Sequence, residues 1–110
     1  MRILVVDLSE ARRKSFEEKL IDHRVVMADN YIDAALMLEL TPRFDLVYLD
    51  HDLKPKTGLD LIRFVTSNLM IDRWPRRVII HSQDNLESRR IKYACDLAGI
   101  WCLIRPFPPS

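Results

Sequence analysis

Glycine is nearly absent: Gly58 and Gly99 are the only two in 110 residues. That scarcity excludes a Walker-type phosphate loop and a GxGxxG fingerprint, which need clustered glycines so that backbone N–H groups can close on phosphates. Cysteine is equally rare, and Cys95 and Cys102 are too few for a disulfide scaffold or a four-cysteine zinc site. No run approaches the roughly 20 apolar residues that cross a bilayer. The N-terminal MRILVVDLSE places Asp7 where the apolar segment of a secretory signal would lie. A cytoplasmic location without membrane contact is expected. Excess charge of one sign is also missing, since 17 Lys and Arg against 16 Asp and Glu leave a formal +1. No global field recruits nucleic acid, and no extended nucleic-acid surface is expected. What remains is 48% apolar and 30% charged residues, the balance of a globule able to bury a core. The length fits one domain, expected over 1–107 with a short tail at 108–110.

Five short apolar runs, ILVV (3–6), RVVMA (24–28), FDLVYL (44–49), RVIIH (77–81) and IWCLI (100–104), are rich in Val, Ile and Leu and do not alternate cleanly. Strands covered on both faces have this composition, so parallel strands are predicted. Helical patterns lie between them. Ser9 is placed to cap a first helix with Ala11, Phe16, Leu20 and Ile21 on its apolar face, and Asn30 or Asp29 a second with Ile32, Ala35, Leu36 and Leu40 before Pro42. Gly58 opens a third through Leu61, Ile62 and Val65, ending before Pro75. Asp84 with Glu87 reads as a capping pair for a fourth, closed by Gly99. Strand–helix alternation with short loops implies right-handed crossovers onto one doubly wound parallel sheet. Such α/β sheets bind ligands outside the C-terminal ends of their strands.

Those ends carry Asp7 after the first strand, Asp50, His51 and Asp52 after the third, His81 and Ser82 after the fourth, and Arg105 before Pro106 after the fifth. Each alone has an ordinary explanation, because strand ends turn polar and Asp or Ser often only caps a helix. Their convergence is the signal: three carboxylates, two imidazoles and a guanidinium meet at one sheet edge.

On MRILVVDLSEARRKSFEEKL, FDLVYLD and LIRPF the chain resembles the receiver domains of two-component response regulators. The resemblance implies a flavodoxin-like sheet of order 2-1-3-4-5, a phosphoryl-accepting Asp50, and an acid at Asp7 that helps hold magnesium. It also implies a cis Arg105–Pro106 bond. This chain differs from receivers in carrying Leu8 beside Asp7, Arg105 where lysine is usual, and His81 with Ser82 where a small hydroxyl residue ends the fourth strand. No fifth helix is expected after the last strand; in many receivers that helix forms much of the output surface. LDHDL (49–53) and HSQDN (81–85) resemble more narrowly the cyclic-phosphate-processing receiver domains, and that likeness implies phosphoester processing.

The residue chemistry points the same way. Asp7, Asp50 and Asp52 are hard oxygen donors suited to Mg²⁺ or Mn²⁺. His81 and His51 are candidate proton carriers or metal ligands beside Asp50. Strand alternation turns His51 away from Asp50 and Asp52 unless the chain has already left the strand. Ser82 and Arg105 are the candidate phosphate-binding residues, Arg105 as a planar fork. The expected function is a metal-dependent phosphoesterase-like receiver acting on a cyclic or terminal phosphate, in a small molecule, a nucleotide or an RNA end. The alternative is a non-enzymatic receiver, phosphorylated on Asp50 or serving as a module for a signalling protein partner. Simpler readings are preferred elsewhere. Cys95 and Cys102 are expected as buried thiols, and Met27, Met37 and Met70 as core fillers. His23, the basic group Arg73, Arg76 and Arg77 around Trp74, and Arg89, Arg90 and Lys92 are expected on solvated surface.

Overall fold

The computed structural model describes residues 1–82 and 85–106. Five strands, β1 (Arg2–Val6), β2 (Arg24–Ala28), β3 (Leu46–Leu49), β4 (Arg77–Ile80) and β5 (Trp101–Ile104), form one sheet of order β2-β1-β3-β4-β5. Every pairing is parallel. Four helices connect them: α1 (Glu10–Lys19), α2 (Tyr31–Leu40), α3 (Gly58–Asn68) and α4 (Leu86–Ala98), with a 3-10 turn at Ile71–Arg73. Among the described residues no helix follows β5. The expected doubly wound sheet is present in the expected order.

Strand alternation divides the core in two. Leu4, Val6, Val47, Leu49, Val78 and Ile80 join α2, α3 and α4 in the larger cluster. Ile3, Val5 and Leu46 pack with Phe16 of α1 in the smaller one, bordered by half-buried Tyr48 and Ile79. Cys95 and Cys102 are buried and free, as expected.

The helix ends have identifiable causes. Ser9 accepts from the Arg12 N–H, and Asn30 from that of Asp33. Thr57 and Asp60 form a reciprocal capping box. Gly99, at φ 79°, takes the left-handed conformation that closes α4. The fourth cap differs from expectation: Asn85 accepts from the Ser88 N–H, and Asp84 lies outside the described residues, as does the tail at 108–110. The buried face of α2 differs too. Ala34, Ala35 and Leu38 are inside while Ile32, Leu36 and Leu40 are exposed, because YIDAALMLEL is apolar on nearly every side and its pattern selects no face. Ile21 falls beyond the end of α1 and Met70 between α3 and the 3-10 turn, so both are exposed rather than packed.

The basic groups are surface and structural. Arg73 donates to the carbonyls of Glu39 and Thr41 past α2, and the Trp74 indole donates to the Leu69 carbonyl while its ring packs on the core. No helix among the described residues is long and apolar enough to cross a membrane.

Candidate functional site

Register builds the site. Val5, Tyr48, Ile79 and Leu103 are aligned across β1, β3, β4 and β5. Two residues further along each chain come Asp7, Asp50, His81 and Arg105, on the same face by alternation. The ladder continues into this row, with the Asp50 N–H donating to the Val6 carbonyl (3.0 Å), the His81 N–H to Leu49 (3.2 Å) and the Arg105 N–H to Ile80 (2.8 Å). Asp7, Asp50 and His81 are buried, and each brings a ligand atom within 4.8 Å of the other two.

Inside this cluster His81 Nε2 lies 2.6 Å from Asp7 Oδ2. A carboxylate only accepts, so Nε2 carries the hydrogen and a neutral ring bears its lone pair on Nδ1. That Nδ1 is buried and has no hydrogen-bond partner among the described residues. The ring is wedged edge-on against Phe16, with centroids 4.9 Å apart. Asp7 also accepts from the Ser9 N–H at 2.8 Å. Burial works against its ionisation, yet the hydrogen bonds from His81, Arg12 and Ser9 prevail and hold its carboxyl well below the usual carboxylate range.

The guanidinium in the cluster is that of Arg12. Its Nε donates to Asp7 Oδ2 (2.8 Å), and its Nη2 bridges Asp7 Oδ1 (2.9 Å) and Asp50 Oδ2 (3.1 Å). Composition gave no hint of this residue; its signal was the Ser9 cap, which puts Arg12 in the first turn of α1 beside the strand end. Arg105, the expected phosphate clamp, continues the row but is exposed. Its charge acts on the hydroxyl of Tyr48, which burial raises and Arg105 partly lowers. Among the described residues the cis proline bond is Lys54–Pro55 rather than Arg105–Pro106, and Pro106, not Arg105, lines the cavity.

That cavity, of about 370 Å³, is bordered by Arg12, Asp50, His51, Asp52, His81 and Ser82. His51 and Asp52 reach it because β3 ends at Leu49 and the chain has turned. Asp50 Oδ1 accepts from the Asp52 N–H at 3.3 Å and lies 3.5 Å from His51 Nδ1. Asp52 is an exposed wall residue outside the three-ligand cluster, so the converging donors are Asp7, Asp50 and His81 rather than three carboxylates. Ser82 Oγ pairs with Ser88 Oγ at 2.5 Å. Two carboxylates and an imidazole suit a divalent cation, and the nitrogen donor favours Mn²⁺ over Mg²⁺.

The fold is shared with solved structures. A signal receiver domain from Vibrio parahaemolyticus is 21% identical, with a TM-score of 0.77 over 99% of this chain and 79% of its own. A response regulator receiver protein from Pseudomonas putida is 26% identical, with a TM-score of 0.69 over 96% and 84%. The Mn²⁺-bound form of response regulator Rcp1 is 23% identical, with a TM-score of 0.71 over 98% and 81%. A comparison with curated proteins finds no match. Fold and site together define a receiver domain. Residues 1–96 match the model of the cyclic-phosphate processing receiver domain, and the chain belongs to that family.

Proposed function

We propose that this receiver domain is a metal-dependent phosphoesterase acting on a cyclic or terminal phosphate, such as the 2′,3′-cyclic phosphate of a nucleotide or RNA end. The observation that carries the reading is a buried imidazole, His81, held by Asp7 in a cluster with Asp50. A phosphoacceptor switch has no need of this group. Asp7, Asp50 and His81 are the residues to hold Mg²⁺ or Mn²⁺, which when bound supplies positive charge to a phosphoryl oxygen.

The chain's own groups do the rest. In the metal-free cluster Asp7 fixes the ring of His81; toward a cation, Nε2 would serve as a ligand once its hydrogen has passed to Nδ1. His51, partly exposed at the cavity wall, takes a proton from the attacking water or returns one to the departing sugar oxygen. In ring opening one P–O bond forms to the water oxygen and one breaks to the sugar, so one proton is removed and one returned. Arg12 and the Ser82 hydroxyl are the donors for phosphate oxygens, with Arg105 further out at the rim.

The test is incubation with 2′,3′-cyclic nucleotides and with terminal phosphate esters in MgCl₂ or MnCl₂, followed by ³¹P NMR. Conversion of cyclic to monoester phosphate, lost in Asp50→Asn, is expected. No hydrolysis of any substrate with either cation overturns the reading. A second reading rests on Asp50 itself, whose buried carboxylate borders the cavity at the end of β3. A phosphoprotein formed with acetyl phosphate and lost in Asp50→Asn, without ester hydrolysis, would establish that non-enzymatic switch and turn attention to a signalling protein partner.

A further inference from the structure

Arg12 occupies the place where the two carboxylates most need a cation. Its three hydrogen bonds use both oxygens of Asp7 and one of Asp50, the atoms a divalent ion at this cluster would take. The geometry points to Arg12 as a tethered cation that competes with the divalent metal for Asp7 and Asp50 and so sets the metal affinity of the site. The inference rests on the reading of Asp7, Asp50 and His81 as a cation site, and on three further observations.

Asp7 is wholly enclosed, so in the absence of metal its charge must be met from within the protein. A planar guanidinium meets it with a fork that a single ammonium cannot reproduce. Beyond those carboxylate bonds Arg12 is anchored by its backbone at the first turn of α1, and its side chain is 40% exposed, so an outward path is open. A guanidinium and a dication within contact distance of the same carboxylates repel each other, so occupancy by one excludes the other. Arg12 already lines the cavity, so its guanidinium, once released, would be free to meet arriving phosphate oxygens.

The experiment is calorimetric titration of the full chain with MnCl₂, in wild type, Arg12→Met and Arg12→Lys. Loss of the charge-assisted fork is expected to tighten Mn²⁺ binding in Arg12→Met by about 10-fold or more, with Arg12→Lys between the two. The gain should vanish when Asp50→Asn is added to Arg12→Met. Affinity unchanged or weaker in folded Arg12→Met overturns the inference; should that variant not fold, the same criterion applies to Arg12→Lys. Failure here is distinct from failure of the enzymatic reading. Tighter Mn²⁺ binding without ester hydrolysis in any variant leaves the competition standing and sinks the phosphoesterase, while hydrolysis by wild type with unchanged affinity does the reverse.

Discussion

Asp7 remains a carboxylate although its side chain is fully buried, because an imidazole, a guanidinium and a backbone N–H converge on it. Its folded-state pKa therefore lies below the unfolded value near 3.8. A group of that kind stabilises the fold fully above its unfolded pKa, and the contribution is lost as pH falls through the folded one. Urea unfolding of wild type and Asp7→Asn should diverge most above about pH 4 and converge toward pH 2; parallel curves over that range would refute this role. His81 requires a more careful substitution than alanine. It is enclosed by Phe16 and Tyr48, so truncation would open a cavity and remove the partner of Asp7 at once. His81→Gln retains a donor for Asp7 but removes the imidazole from the cation cluster. Turnover of a cyclic nucleotide should drop by about 10- to 100-fold or more while the melting temperature stays near that of wild type. A folded His81→Gln with full activity would show that the imidazole only supports the structure.

At the level of elements, the strands and most caps were legible because they depend on local chemistry. RVVMA is β2 to the residue, and Ser9, Asn30 and Gly99 cap or close the helices to which the sequence assigned them. The row Asp7, Asp50, His81 was legible for a related reason, since strand ends are readable and parallel pairing aligns them. Arg12 and the true face of α2 were not, because each depends on how a helix is rotated against the sheet, and an apolar count such as that of YIDAALMLEL does not fix rotation. The exposure of Arg105 was illegible because register puts it in the row but does not fix where its long side chain goes past the strand end. Gly58 shows the same division. As an opener of α3 it was evident, but its necessity comes from tertiary approach: a Cβ there would meet the Asp50 carbonyl at 2.5 Å and the His51 Cα at 3.2 Å. Helix propensity alone favours Ala over Gly by about 1 kcal/mol. Because the clash is with backbone, Gly58→Ala should instead destabilise by about 1–3 kcal/mol and displace the Asp50–Asp52 segment. A denaturation midpoint equal to or above that of wild type would contradict this.

Across the whole molecule the two sides of the sheet are unequal. Among the described residues three helices cover one face, whereas α1 alone serves the other, where Tyr48 and Ile79 are only half-buried. The site lies on the thinner side, and α1 is fastened there by Phe16 in the small core and by Arg12 on the carboxylates. Ligand binding at the cluster is therefore coupled to stability, since Asp7, Asp50 and His81 come from three strands and meet only in the folded chain. A cation that binds the folded state alone stabilises it by RT ln(1 + [L]/Kd), about 1.4 kcal/mol at tenfold excess over Kd. For a domain of this size that corresponds to a rise in melting temperature of about 5–10 °C. Because Kd is set partly by the need to displace Arg12, the rise in wild type should require higher MnCl₂ than in Arg12→Met, with the curves parallel once concentration is scaled by Kd. Asp50→Asn should show no rise in either background. Thermal melts in a series of MnCl₂ concentrations check this directly. A wild-type melting temperature that stays constant through millimolar Mn²⁺ and Mg²⁺, together with the same constancy in Arg12→Met, would rule out a cation at this sheet edge.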